Sequence, residues 1–122
     1  MAIRSRLTGT GIAPLTAQNV AGNVSNNLTA AGTTQGTALA IYDEMNVFTT
    51  VAASSGAILR ADLGPGDEQE AANYGANALT VYPPVGGKIQ NGSVNAGFSV
   101  GTNKTARFRS IDGLAFTAVL SS

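Results

Sequence analysis

From residue 37 to residue 120, short apolar runs alternate with clusters of glycine, proline and asparagine. This rhythm is typical of strands joined by turns. It predicts eight strands and a closing ninth: 37–42, 46–52, 57–61, 68–74, 78–82, 87–89, 97–100, 105–111 and 114–120. Their number and spacing predict an all-β fold, a single small β-sandwich or jelly-roll-like domain or a flattened barrel.

The last two predicted strands form the clearest local signal. Large or apolar residues alternate with smaller or polar ones along both, so each reads as a half-buried strand. Asp112-Gly113 lies between them, and such a dipeptide favours a tight hairpin turn. We therefore expect strands 105–111 and 114–120 to pair antiparallel.

The first thirty-five residues have a different texture, rich in small and polar side chains. Isolated apolar residues in this stretch can trace one side of a helix, but the intervening asparagines and glycines oppose one. The favoured interpretation is an extended arm, residues 1–35, that orders against a partner, followed by a β domain of residues 36–122. Its partner-contact candidates are Ile12, Leu15, Val20, Val24 and Leu28.

Composition narrows the possible functions. A chain of 122 residues is long enough for one domain. Only 11% of its residues are charged, against about 25% in ordinary soluble domains, so much of the surface must be neutral, which favours an assembly. Seven basic residues offset seven acidic ones, which leaves no basic field for nucleic acid. No apolar run is long enough for a membrane span or a signal peptide, so we expect a soluble chain that is not exported by a signal.

The chain has no cysteine and no histidine, which removes disulfides, Cys/His zinc sites and Ser-His-Asp triads. Four carboxylates occupy the segment 62–70, a candidate calcium site, although a solvated turn is the favoured interpretation. Carboxylates can also serve glycoside hydrolysis, but adjacent Asp43 and Glu44 would point to opposite faces of a strand. No catalytic, cofactor-binding or metal-binding residue is predicted.

Arg107 and Arg109 lie two residues apart on one predicted strand. They therefore share a face, because successive side chains of a strand alternate. Two interpretations stay open: their guanidinium groups contact carboxylates of another chain, or they form an ordinary solvent face.

A set of short motifs across residues 34–120 resembles small β-rich virion proteins of tailed bacteriophages, namely capsid decoration (cement) proteins and head-fibre or tail accessory modules. The motifs are Gly66-Asp67-Glu68, Asn73-Tyr74-Gly75-Ala76-Asn77, Leu79-Thr80-Val81-Tyr82-Pro83, Gly86-Gly87-Lys88-Ile89 and Asn95-Ala96-Gly97-Phe98. The resemblance implies a structural protein with no catalytic motif and no cofactor.

The resemblance also implies partners and a location. We expect a non-enzymatic virion protein, made in the host cytoplasm, that binds the outer surface of the major capsid lattice as a homotrimer and stabilises the head. The alternative is a tail or head-fibre domain that binds host surface glycans. Neither nucleic acid nor membrane is an expected partner.

Overall fold

The computed structural model describes Ser5, Gly9, Gly11, Ala13 and residues 22–121. Within these residues the chain forms ten β-strands and one short 3-10 helix, Gln35–Thr37. The strands are β1 Val24–Thr29, β2 Leu39–Ala40, β3 Met45–Thr50, β4 Gly56–Ile58, β5 Glu68–Asn73, β6 Leu79–Tyr82, β7 Lys88–Ile89, β8 Phe98–Val100, β9 Lys104–Ser110 and β10 Ala115–Leu120.

The strands form two sheets. The first has six strands in the order β1-β3-β5-β9-β10-β7, and the second has four in the order β2-β4-β6-β8. From β1 to β6 the chain alternates between the sheets, and neighbouring strands within each sheet run parallel. The first six strands therefore wind as three turns of a short β-solenoid, which we call the coil.

The remaining strands close the coil. β9 pairs antiparallel with both β5 and β10, and β8 pairs antiparallel with β6. β7 is a two-residue edge strand that runs parallel to β10. The fold thus changes from parallel to antiparallel pairing at β5 and β6.

The core contains side chains from both sheets. Phe48, Leu79, Val81, Val100 and Phe108 are fully buried within one hydrophobic cluster. The Phe108 ring meets Phe98 edge to face, with centroids 5.6 Å apart, a favoured arrangement because a ring's positive edge faces the other's negative face. Burial of each large side chain is worth about 1.5–3 kcal/mol.

The predicted all-β character is confirmed, and each of the nine predicted strands overlaps an observed one. The jelly-roll-like connectivity is not what the chain adopts, because jelly rolls are antiparallel whereas the coil is parallel. The connections after β1, β3 and β5 cross to the other sheet instead of reversing within one. The predicted hairpin forms, but β9 ends at Ser110 and β10 begins at Ala115, so its loop is longer than a tight two-residue turn. The Ile111 N–H donates to the Ala115 carbonyl at 2.8 Å across the base of this loop.

Residues 24–31, which fall within the predicted arm of residues 1–35, pair with strands of the predicted β domain. β1 lies inside the predicted arm, yet it pairs with β3 of the same chain, and Ala31 bridges Gly56. Its mostly exposed, polar sequence hides this pairing, because backbone pairing with β3 holds most of β1 and only Leu28 packs against the hydrophobic core. Ile12, Leu15 and Val20 lie outside the described residues.

Candidate functional site

A cleft of about 240 Å³ opens where the loops before β3 and β5 meet the start of β5. Five carboxylates line this acidic cleft, together with one cation. Its lining residues are Tyr42, Asp43, Glu44, Arg60, Asp62, Leu63, Asp67, Glu68 and Gln69. The cleft therefore gathers most of the seven acidic residues of the chain.

Gln69 holds the two loops of the acidic cleft in place. Its side chain is buried, and its Oε1 accepts a hydrogen bond from the Arg60 backbone N–H at 3.0 Å. Its Nε2 donates to the carbonyls of Ile41 at 3.1 Å and Asp43 at 3.0 Å. One side chain thus satisfies three backbone groups that the turns of the coil leave unpaired.

Arg60 and Asp62 form a bidentate ion pair at the rim. Arg60 Nε and Nη2 each lie 2.8 Å from a carboxylate oxygen of Asp62, and Nη1 donates to the Tyr42 carbonyl at 2.8 Å. This hydrogen bonding lowers the pKa of Asp62 and raises the pKa of Arg60. Solvent reaches both partners, with the Arg60 side chain 37% and Asp62 68% accessible, so the pair orders the loop more than it stabilises the fold.

The other carboxylates of the acidic cleft also have partners within the chain. Asp43 accepts from the Ser25 hydroxyl, Glu44 from the Asn23 backbone N–H at 3.1 Å, and Asp67 from the Gly64 N–H at 2.9 Å. In the described part of the chain, no group of three or more Asp or Glu side chains is arranged to hold a metal ion. The calcium alternative for segment 62–70 therefore gains no support from this geometry.

Arg107 and Arg109 lie on the outer face of β9, directly opposite Glu70 and Glu68 of β5. Arg107 Nε is 3.0 Å from Glu70 and 3.4 Å from Glu68, and Arg109 Nη1 is 3.9 Å from Glu68. The two arginines therefore share a face, as predicted, and meet carboxylates of their own chain. More than half of each arginine side chain stays exposed, and contact with another chain stays a prediction.

A third feature combines exposed apolar side chains from the loops beside β7. They are Val85, Val94, Ile111 and Leu114, each at least half exposed, and we call them the loop patch. Hydrogen bonds tie their loops together. Gly86 N–H donates to Asn95 Oδ1 at 2.6 Å, and Asn95 N–H to the Gly87 carbonyl at 2.8 Å. The Lys88 N–H donates to the Leu114 carbonyl at 2.9 Å.

The loop patch was not anticipated, since its members come from three separate turns. The only available signal is that valine and leucine stand in glycine-rich and proline-rich segments, where polar residues are more common.

Two of the predicted contact residues of the arm lie in β1, and their environments differ. Val24 is 58% exposed, whereas Leu28 packs against the hydrophobic core of its own chain. Leu28 therefore has a structural role within the fold.

The chain matches no protein-family model, no curated protein and no solved structure. Among the described residues, no helix is long and apolar enough to cross a membrane. Inferences about function therefore start from the surfaces described above.

Proposed function

We propose that this chain is a non-enzymatic structural protein of a phage virion. In this proposal it acts as a capsid decoration protein: homotrimers bind the outer surface of the major capsid lattice and stabilise the head. The sequence motifs favour this class of protein, and a small, charge-poor β scaffold suits it. The observation that carries the proposal is the loop patch.

The loop patch has the chemistry of a protein contact. Its four side chains are 50–74% exposed and are brought together by hydrogen-bonded loops. Single exposed apolar residues are ordinary on protein surfaces, but several of them on loops that are hydrogen-bonded to one another favour an interaction site. The patch also borders β7, an edge strand of the six-stranded sheet.

A protein that stabilises a shell only by binding to it needs no reactive group. Copies that bind only the assembled shell stabilise that shell by mass action, and the gain grows with occupancy. A rigid scaffold helps, because a preordered surface loses less conformational entropy on binding. The hydrogen bonds of Asn95 and Lys88 supply such order in the loops of the patch.

The proposal is tested by counting copies of the chain in purified particles. We expect many symmetric copies on the head and none at the tail tip. Val85→Asp combined with Leu114→Asp should abolish head binding and leave the unfolding midpoint near that of the parent chain. Val119→Asp is the matched control, because Val119 is 68% exposed but lies on the outer face of β10, opposite Arg107. Full head occupancy by the double variant, or absence of the chain from particles, would refute the proposal.

One observation favours the alternative, a tail or head-fibre domain that binds host glycans. Tyr42 is 66% exposed and lines the acidic cleft, and an exposed aromatic ring beside carboxylates offers both stacking and hydrogen bonding to a sugar. Glycan-array binding that is lost in Tyr42→Ala, with few copies per particle, would support this alternative. Many copies on the head and no glycan binding would reject it.

A further inference from the structure

The loop between β7 and β8 is exposed along its whole length, from residue 90 to residue 97. It contains Asn91-Gly92, the one place in the sequence where an asparagine precedes a glycine. Both residues are exposed, and Gly92 has no side chain to shield its backbone nitrogen. Side-chain hydrogen bonds hold the amides of the coil asparagines Asn46 and Asn73. The Asn91 amide has no such bond to any described residue, so it is free to rotate.

We infer that Asn91 is a site of spontaneous covalent modification, which converts it to aspartate and isoaspartate without an enzyme. The Gly92 backbone nitrogen loses its proton to water or hydroxide and attacks Cγ of Asn91. A new N–Cγ bond forms, the Cγ–Nδ2 bond breaks, and Nδ2 leaves as ammonia. Water then opens the resulting five-membered imide at either carbonyl. The balance is one water consumed and one ammonia released, with no oxidation or reduction.

Steric access singles out Asn91. Every other asparagine of the chain precedes a residue with a side chain, and a Cβ next to the attacking nitrogen crowds the ring closure. Several are also held by their amides. Asn73 Nδ2 donates to two carbonyls in the buried interior, and Asn95 Oδ1 accepts from Gly86 N–H and from Gln35 Nε2. Holding the amide keeps Cγ away from the following nitrogen.

The opening of the turn that contains Asn91 sets the rate of this conversion. The Gly92 N–H donates to the Ile89 carbonyl at 3.0 Å, so the attacking nitrogen is occupied until this turn opens. Gln90 has a φ of 54°, a left-handed conformation that is unfavourable for a residue with a side chain. The Gln90 backbone N–H and its Nε2 both bond to β10, at Phe116 and Ala118. Opening is therefore confined to residues after Gln90 and needs no global unfolding.

The experiment uses the full chain, incubated folded at mildly alkaline pH. Intact mass, ion-exchange chromatography and fragmentation that separates aspartate from isoaspartate follow the reaction. We expect an acidic form to accumulate, with the mass gain of an NH-to-O exchange located in the peptide that holds residue 91. Its rate should rise with pH, because the nucleophile is the deprotonated nitrogen.

Two variants test the mechanism. Asn91→Gln lengthens the side chain and should lose the acidic form. Gly92→Ala should also lose it, and the added Cβ would lie 3.0 Å from the Ile89 carbonyl oxygen, a contact that a small loop shift relieves. An unchanged unfolding midpoint in both variants shows that the loss is local. Two results would overturn the inference: conversion at residue 91 only when urea unfolds the chain, or earlier conversion of another asparagine in the folded protein.

Discussion

The coil and the closing hairpin β9–β10 contribute different side chains to the same core. The coil buries four polar residues, Asn46, Ser55, Gln69 and Asn73, alongside its apolar ones. Among the buried residues of the hairpin, Ser110 is the only polar one, and Phe108 and Phe116 dominate. The coil therefore contributes most of the buried polar side chains of the core, and the hairpin contributes mainly apolar ones.

Chain connectivity explains this difference. Each turn of the coil crosses from one sheet to the other and leaves backbone groups that no ladder can pair. Buried amides satisfy such groups: Asn73 Nδ2 donates to the carbonyl of Asn77 at 2.8 Å in the coil, and also to that of Val100 at the end of β8 at 2.9 Å. Asn46 donates to Asp43 and Glu70 in the same way. A hairpin reverses within one sheet and leaves fewer such groups, so apolar packing can fill its buried face.

The largest effect is expected from removing an aromatic side chain from the core. Phe108→Ala removes a ring with no exposed surface and its edge-to-face contact with Phe98. Truncation of a buried phenylalanine costs about 3–5 kcal/mol, because the cavity it leaves is only partly refilled. Urea unfolding should therefore show a much lower midpoint. Arg109→Ala, the next outward-facing position of β9, is the control and should change stability by less than about 1 kcal/mol.

The buried polar side chains of the core should be nearly as sensitive. Asn73→Ala leaves two carbonyls and the Gly75 N–H, which now donates to Asn73 Oδ1 at 2.9 Å, without partners. The Asn77 carbonyl is at an exposed residue and can bond to water, whereas the other two groups are buried. We expect a loss of roughly 2–6 kcal/mol, since each buried group left unsatisfied costs about 1–3 kcal/mol. Asn91→Ala removes an exposed amide instead. A loss for Asn73→Ala as small as that of Asn91→Ala would show that the amides are dispensable to the coil.

The contrast between the two regions also explains what sequence alone could predict. The hairpin was predictable because its alternation and its Asp112-Gly113 dipeptide are local signals. The individual strands of the coil were visible for the same reason, but their parallel pairing was not. It depends on contacts such as Phe48 opposite Asn73, and no short-range pattern reports on them.

The candidate sites divide in the same way. The shared face of Arg107 and Arg109 follows from the two-residue period of a strand, so sequence was sufficient. The acidic cleft assembles carboxylates from two loops, and Gln69, which anchors it, looks in the sequence like any polar residue among acidic neighbours. The loop patch forms only where the fold brings three separate turns close together. Features built from distant segments require the tertiary pairing first.

Substitution of Gly75 tests how closely the backbone is packed at a corner of the coil. A Cβ on Gly75 would lie 2.7 Å from both Cβ and the backbone nitrogen of Val51, which is too close for any side-chain adjustment to relieve. Gly75→Ala should therefore cost roughly 1–3 kcal/mol through overpacking. Gly36→Ala is the matched control, because a Cβ there meets nothing within 4 Å. Equal melting temperatures for the two variants would mean that the coil can relax at this corner.

The ion pairs across β5 and β9 join the coil to the hairpin, and we expect them to contribute little. A double-mutant cycle of Glu70→Gln and Arg107→Gln should give a coupling of about 0.2–1 kcal/mol, because the arginine side chain is largely solvated. The coupling should shrink as salt is added. A salt-independent coupling well above this range would place the pair in a desolvated contact, for example beneath another subunit.

The smallest effect is expected at the loop of the hairpin and concerns pH. Asp112 Oδ1 accepts hydrogen bonds from the backbone N–H groups of Ala115 at 2.8 Å and Leu114 at 3.0 Å, and these bonds lower the pKa of Asp112. A carboxyl whose pKa is lower in the folded state stabilises the fold above its unfolded pKa, near 3.9. That contribution is lost as pH falls through the folded pKa. Asp112→Asn should therefore flatten the acid side of the stability curve slightly and leave the coil unaffected. An unchanged acid limb, measured by urea unfolding at several pH values, would show that the loop holds its shape without this carboxylate.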